Sequence, residues 1–128
     1  MSQEFNTFGR EVVLDVKGVD FQLLNNVREL EQQLVDAAEE CDATVVGVLP
    51  VKFNPQGATV AVVLSESHLT IHTYPEKGFA GLNCYTCGSS VDPELAIRYL
   101  IEVMKPNSYS GVLIYRGQEG PLKVVPFE

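Results

Sequence analysis

The side chains of this sequence that can do covalent or metal chemistry are concentrated in one short stretch. Both histidines and two of the three cysteines, His68, His72, Cys84 and Cys87, lie within twenty residues of one another, and Ser67 stands directly before them. Histidine and cysteine are the usual zinc ligands, paired cysteines do redox chemistry, and serine, histidine and cysteine take part in covalent catalysis. The stretch therefore allows a zinc site, a thiol redox pair or a covalent catalytic site.

A zinc site would take the two histidines and the two cysteines as its ligands. The residues from Thr70 to Tyr74 are strand formers, and positions four apart in a strand lie on one face but about 13 Å from each other. Only a helix would bring His68 and His72 onto one metal ion, and this segment has a poor helix propensity. We therefore predict no metal site.

A thiol redox pair is suggested by the spacing Cys84-x-x-Cys87, which disulfide oxidoreductases share. In those proteins the first cysteine opens a helix, and the helix N-terminus lowers the pKa of its thiol. Here Cys84 lies in a predicted strand, and the next helix begins several residues after Cys87. We interpret Cys84 as a small hydrophobic residue of the core.

Covalent catalysis by Ser67, with His72 or Cys87 nearby, is the third interpretation. No Gly-x-Ser-x-Gly elbow surrounds the serine, although many serine nucleophiles are presented by one. From side-chain types alone, a catalytic site and a non-catalytic binding module both remain open.

The elements that must position these residues are mainly strands. Asn26 is a helix cap before an apolar stripe at helical spacing, and Asp92 begins a second helix that ends near Met104. The turns between consecutive strands of the central block are too short for parallel crossovers. The order predicts an α+β two-layer sandwich, a mainly antiparallel sheet with both helices on one face. Strands are predicted over residues 7–19, 44–53, 58–64, 68–74, 79–86, 111–115 and 122–125.

Composition and charge limit the partners and the location. Nine basic and seventeen acidic residues give a net charge of −8, and the basic residues are scattered, which argues against nucleic-acid or anionic-membrane binding. No apolar run approaches the roughly 20 residues of a membrane span, and residues 1–10 lack the pattern of a signal peptide. We predict one cytoplasmic domain over residues 1–128, with reduced cysteines.

The segment from Ser65 to Glu76 resembles the core of the prokaryotic S-adenosylmethionine decarboxylase proenzymes. The likeness continues in Cys84-Tyr85-Thr86-Cys87-Gly88 and in Asp92-Pro93. Outside this core it extends to Thr7-Phe8-Gly9-Arg10, to Leu23-Leu24-Asn25 and to residues 53–59. The resemblance therefore covers most of the chain.

This resemblance implies that the chain cuts itself between Glu66 and Ser67, into residues 1–66 and 67–128. The Ser67 hydroxyl attacks the Glu66 carbonyl through a five-membered ring, which turns the amide into an ester. Removal of the Ser67 α-proton then expels the Glu66 carboxylate, and hydrolysis leaves a pyruvoyl group at residue 67. The protein would thereby make its own cofactor.

Further side chains match processing and catalytic positions of that family. His72 matches the processing base, for which an imidazole is suited, and Thr59 matches a hydroxyl that assists processing. The pyruvoyl group would form a Schiff base with the substrate amine and accept electrons as carbon dioxide leaves. Cys87 matches the donor that returns a proton to the α-carbon. The sequence assigns no role to His68.

The resemblance also implies the substrate and the assembly. Phe53 and Tyr74 match aromatic positions that flank the adenine of S-adenosylmethionine and suit its sulfonium cation, and Glu76 matches a carboxylate that binds the ribose. The product would be the aminopropyl donor for spermidine synthesis, and the expected assembly is a homodimer of cleaved protomers. Pyruvoyl-dependent decarboxylation of arginine or ornithine is the alternative activity.

Overall fold

A computed structural model describes residues 7–128 of the chain. Seven strands of these residues form one antiparallel sheet. The strands are β1 (Gly9–Lys17), β2 (Val45–Lys52), β3 (Ala58–Leu64), β4 (Ser67–Tyr74), β5 (Phe79–Cys87), β6 (Ser108–Arg116) and β7 (Lys123–Phe127). The helices are α1 (Phe21–Leu24), α2 (Val27–Glu40) and α3 (Pro93–Met104), and the 3₁₀ turn η1 covers Pro75–Lys77. The predicted α+β sandwich is confirmed.

The strand order β2-β3-β4-β5-β1-β6-β7 makes the two chemically interesting strands neighbours. β4 and β5 are consecutive in the chain and pair antiparallel, so Ser67 lies opposite Thr86 and His72 lies opposite Gly81. β1 pairs with β5 on one side and with β6 on the other. The first strand of the chain is therefore held between two strands that come much later.

The core lies between one face of the sheet and the helices α2 and α3. Alternate strand residues point into it, and they meet the apolar stripe of α2 that the sequence predicted. Burial of this apolar surface is the main stabilising contribution, at about 25 cal/mol per Å². The fully buried side chains of the core include Val12, Val16, Leu30, Leu34, Leu69 and Leu100.

Both long helices begin at the predicted caps. The Asn26 side chain accepts a hydrogen bond from the Glu29 N–H at 3.1 Å, and the Asp92 side chain accepts one from the Glu94 N–H at 3.0 Å. These bonds pair backbone donors that a helix N-terminus leaves without intrahelical partners. The sequence thus identified both helix starts.

The sequence missed one short helix and misplaced some strand ends. α1 was not predicted, although Asp20 caps it by accepting from the Leu23 N–H, and four residues are too few for a periodic pattern. β6 starts at Ser108 instead of 111, because pairing with the long strand β1 draws polar residues into the sheet. β7 reaches Phe127 instead of 125 for the same kind of reason, pairing with β6.

The other face of the sheet is not covered by any helix of residues 7–128. It presents a set of partly or largely exposed apolar side chains, which we call the open face: Val13, Leu49, Val51, Val63 and Val124. Within the same residues, no helix is long and apolar enough to cross a membrane. Several exposed apolar side chains on one face of a sheet are a common sign of a contact surface.

Thr73 joins α1 to the sheet and yields a stability prediction. Its buried hydroxyl accepts from the Ala58 N–H at 2.9 Å and donates to the Leu24 carbonyl at 2.8 Å. Thr73→Val keeps the shape but leaves these buried groups unpaired, so the free energy of unfolding should fall by about 1–3 kcal/mol. Urea denaturation in a Ser67→Ala background, where the expected cleavage cannot intervene, measures this.

Thr44→Val is the matched control, because the Thr44 side chain is exposed. It should change the free energy of unfolding by no more than about 0.5 kcal/mol. Equal losses for the two variants would contradict the role given to the Thr73 hydroxyl.

Candidate active site

The predicted cleavage site lies in the tight turn between β3 and β4. Leu64 pairs with Ser67 across the hairpin, so Ser65 and Glu66 form the turn. Ser67 has a φ of +147°, a value that residues with a side chain rarely adopt. Such a backbone costs on the order of 1–3 kcal/mol and is found most often at functional sites.

Two anchors hold the peptide group before Ser67. The Cys87 N–H donates to the Glu66 carbonyl oxygen at 2.7 Å, and the Thr44 N–H donates to the Glu66 carboxylate at 3.1 Å. The Ser65 N–H in turn donates to the Thr44 carbonyl at 2.9 Å. If Ser67 Oγ attacked the Glu66 carbonyl carbon, the charge that develops on the oxygen would already face the Cys87 amide.

A group of reactive side chains surrounds this peptide, and we call it the cleavage cluster: Glu66, Ser67, His68 and Cys87. Ser67 Oγ and His68 Nδ1 are 3.0 Å apart, which is hydrogen-bonding distance. The His68 ring packs edge-on against Tyr85, with 5.7 Å between the ring centroids. The Cys87 thiol is exposed.

A second group, the aromatic cluster, lies at the other end of β4 and consists of Phe53, Thr59, His72 and Tyr74. His72 Nδ1 lies 2.5 Å from Thr59 Oγ1. The His72 ring packs edge-on against Phe53 at 5.8 Å and Tyr74 at 4.8 Å between centroids. Glu76 follows in η1 and is exposed. The structure therefore brings five of the predicted site residues to this end of the strand.

The unpredicted helix α1 positions the turn that carries Phe53. Asn25 ends α1, and its side-chain oxygen accepts from the Gly57 N–H at 3.0 Å. The Phe53 N–H donates to the Gly57 carbonyl at 2.8 Å and closes the turn. Gly57 has a φ of +105°, which favours glycine at this position.

The two clusters are far apart within one chain. β4 pairs with β5 in unbroken register from Ser67 to Tyr74, so the strand does not bend at the cleavage site. Five residues of strand separate Ser67 from His72 by about 16 Å. His72 therefore does not reach the Ser67 of its own chain in this conformation.

A groove lies on the open face beside His72. It has a volume of about 380 Å³, and its lining includes Glu11 and Asp15 with His72. The Glu11 carboxylate accepts from Asn83 at 2.9 Å and pairs with Arg116 at 2.7 Å. The groove thus carries two carboxylates, and Arg116 neutralises that of Glu11.

The two cysteines of the predicted redox spacing lie on opposite faces of the sheet. Cys84 points into the core, where burial raises the pKa of its thiol far above the usual range, and it is the small core residue that the sequence predicted. Cys87 is exposed. Among residues 7–128 no group of three or more histidine, cysteine or acidic side chains could hold a metal ion.

Three contributions to the site were missed in the sequence. Thr44 and Cys87 act through backbone N–H groups, which every residue but proline possesses, so no side-chain pattern marks them. The contact of His68 with Ser67 was also missed, because neighbouring residues of a regular strand point to opposite faces. The only available signal for His68 was its position beside the serine.

Comparison with known proteins gives a consistent assignment. The model of the family described as "S-adenosylmethionine decarboxylase" matches residues 10–117. A relative from Brevibacillus brevis, named S-adenosylmethionine decarboxylase proenzyme, is 55% identical over 122 residues, which are 95% of this chain and 91% of the relative. A "proenzyme 2" of the same name from Bacillus cereus is 49% identical over 114 residues, 89% of this chain and 93% of the relative.

Solved structures agree with this assignment. The crystal structure of the adenosylmethionine decarboxylase from Aquifex aeolicus is 31% identical, with a TM-score of 0.82 over 91% of this chain and 98% of that chain. A Trypanosoma brucei AdoMetDC monomer, 14% identical, shares the fold alone, with a TM-score of 0.61 over 82% of this chain and 45% of that chain. These findings confirm the resemblance inferred from residues 65–76. The chain belongs to the S-adenosylmethionine decarboxylase family.

Proposed function

We propose that the chain is the proenzyme of a pyruvoyl-dependent S-adenosylmethionine decarboxylase, which cleaves itself at Glu66–Ser67 and acts in the cytoplasm as a homodimer. One observation carries the proposal. The Glu66 carbonyl is held by the Cys87 N–H at 2.7 Å, directly before a serine in a strained backbone conformation. Such an arrangement favours a self-cleaving enzyme over a non-catalytic binding module.

The first step of processing uses the turn as it stands. Ser67 Oγ attacks the Glu66 carbonyl carbon, and negative charge develops on the oxygen that the Cys87 amide contacts. A fixed N–H donor of this kind is typically worth a factor of about 10² to 10³ in rate. Breaking the C–N bond gives an ester of Glu66 and also frees the backbone of Ser67 from the constraint of the turn.

The second step requires a base that removes the Ser67 α-proton, and His72 is suited to it. Its Nδ1 lies beside the Thr59 hydroxyl, which fixes the orientation of the ring. Because about 16 Å of strand separates it from its own Ser67, we infer that it acts on the Ser67 of a second copy. The cleavage cluster of one protomer then needs the aromatic cluster of the other.

The open face is the surface through which two copies can meet. The sheets of the two copies would stack through their open faces. A two-fold axis between them, perpendicular to β4 and passing near Thr70, would place the two β4 strands over each other in opposite directions. Each aromatic cluster would then face the partner's cleavage cluster, and one contact would complete both sites. The exposed apolar residues of that face, such as Val13 and Val63, would be buried in this homodimer.

The aromatic cluster is the part of the site that fits the substrate. The rings of Phe53 and Tyr74 are 40% and 45% exposed, so their faces are free to flank an adenine and to attract a sulfonium cation. Glu76 is exposed nearby and can accept from ribose hydroxyls. Arginine and ornithine have neither adenine nor ribose, so these side chains favour S-adenosylmethionine over the two alternative substrates.

Residue 67 and the nearby Cys87 fit the self-derived cofactor. The pyruvoyl group supplies a ketone that binds the substrate amine and accepts electrons as carbon dioxide departs. Cys87 has an exposed thiol on the residue whose amide contacts Glu66, so it can donate a proton beside residue 67. The product would serve as the aminopropyl donor for spermidine synthesis.

Removing the Ser67 hydroxyl tests the cleavage site. Ser67→Ala should leave one intact chain without decarboxylase activity, because the attacking oxygen is gone. Mass spectrometry of the purified protein measures the masses of the fragments. Ser65→Ala, which removes an exposed serine hydroxyl from the same turn, should still give fragments 1–66 and 67–128. Normal cutting of Ser67→Ala would refute the mechanism.

Mixed dimers test whether His72 acts across the interface. His72→Ala alone should accumulate the ester, which hydroxylamine cleaves at neutral pH. In heterodimers with a differently tagged Ser67→Ala chain, purified through both tags after co-expression, the His72→Ala chain should be cut, because the partner supplies an intact His72. The Ser67→Ala chain should stay whole. If co-expression restored no cutting, His72 would have to act within its own chain.

Cys87→Ala distinguishes the contribution of the Cys87 backbone N–H from that of its thiol. The backbone N–H remains, so cleavage should continue, while carbon dioxide release should fall by about 10² or more because the proton donor is lost. Cys84→Ala is the control, and it should cost only packing energy, on the order of 1 kcal/mol. Equal losses of turnover in the two variants would contradict the assignment of the donor to Cys87.

A further inference from the structure

His68 is the histidine that lies nearest to the nucleophile, yet the processing scheme above uses only His72. The imidazole Nδ1 of His68 is 3.0 Å from Ser67 Oγ, whereas His72 belongs to the other end of β4. We propose that His68 is the base of the first processing step, which takes the proton from Ser67 Oγ as this oxygen attacks the Glu66 carbonyl. This inference rests on the proposed self-cleavage.

The contact depends on the unusual backbone of Ser67. In a regular strand the side chains of residues 67 and 68 would point to opposite faces of the sheet. They meet here at a residue whose φ is +147°. This backbone conformation therefore holds the Ser67 hydroxyl within hydrogen-bonding distance of the His68 imidazole.

The orientation of the His68 ring is fixed by the strands on either side. Tyr85 lies directly opposite on β5 and packs edge-on against the ring at 5.7 Å, and Val63 lies opposite on β3. The Arg116 guanidinium stacks over the Tyr85 ring at 4.3 Å and pairs with Glu11 at 2.7 Å. A series of contacts that ends in an ion pair thus limits the freedom of the imidazole.

Two protons must be removed during processing, and the two histidines divide this work. The hydroxyl proton of Ser67 leaves in the acyl shift, and the α-proton leaves in the elimination. His68 faces the hydroxyl within its own chain. His72, with Nδ1 beside Thr59, serves the second step. One imidazole near each proton removes the need for a single base to act at both positions.

The first step balances without any further reactant. The Oγ proton passes to the Nδ1 of a neutral His68 whose own proton is on Nε2, and the Oγ electron pair forms the bond to the Glu66 carbonyl carbon. The carbonyl electrons move to the oxygen, held by the Cys87 N–H. When they return, the C–N bond breaks, and His68 gives its proton to the Ser67 nitrogen, which becomes a free amine.

The test compares the step at which processing stops in the His68 and His72 variants. Freshly synthesised proenzyme is followed by mass spectrometry with and without hydroxylamine at neutral pH. His68→Ala should process about 10²-fold more slowly than wild type and should stay resistant to hydroxylamine, because no ester forms. His72→Ala should instead accumulate the hydroxylamine-sensitive ester. The double variant should behave like His68→Ala, since the first block precedes the second.

Two measurements separate a proton-accepting role from a merely structural one. Added imidazole should speed up processing of His68→Ala in proportion to its concentration. His68→Asn places an amide oxygen near the position of Nδ1 and keeps much of the shape, but an amide is not a base, so this variant should remain slow. Its circular dichroism and melting temperature should match those of the uncut Ser67→Ala chain.

Several outcomes would overturn the proposal for His68. These are a wild-type rate in His68→Ala, an ester that accumulates in it, or a normal rate in His68→Asn. The last would mean that a hydrogen-bond acceptor is sufficient. Failure of the self-cleavage itself would show differently, as an uncut wild-type chain or as a Ser67→Ala chain that is still cut.

Discussion

The hydrogen bond from the Cys87 N–H to the Glu66 carbonyl is the contact on which the site depends. Ser67 pairs with Thr86, so β5 extends one residue beyond the start of β4 and brings the next amide level with the turn. A slip of one residue in this register would turn every side chain of β5 to the other face and remove that amide. The position of the Glu66 carbonyl is therefore set by strand pairing more than by any one side chain.

Side chains alternate between the two faces of the sheet along β4 and β5, so core residues lie on one face and reactive residues on the other. Side chains that face α2 and α3, such as Leu69 and Cys84, are buried in the core. Those of the open face, such as His68 and His72, keep access to ligands and to another copy. Because the helices cover one side only, the reactive side chains stand on a rigid sheet without being enclosed by it.

The sequence predicts those parts of the fold and of the candidate site that depend on specific side chains. Asn26 and Asp92 mark helix starts because their side chains accept backbone N–H bonds, and the resemblance over residues 65–76 identified the family. The role of Ser67 stays a prediction of that resemblance. The role of the Thr44 N–H could not be predicted, since the backbone carries no residue-specific signal. The contact of His68 also could not be predicted, because it requires a φ that a serine rarely adopts.

The place of the proposed cut would allow the cleaved protein to keep its fold. The Glu66–Ser67 bond lies in a turn, so the pairs between β3 and β4 from Val63 and His68 onward do not depend on that bond. β1, which precedes the proposed cut, lies between β5 and β6, which follow it. The two fragments would therefore be interleaved and could not separate without breaking the sheet. The turn could lose its peptide bond and its strain while the strands that position the site keep their register.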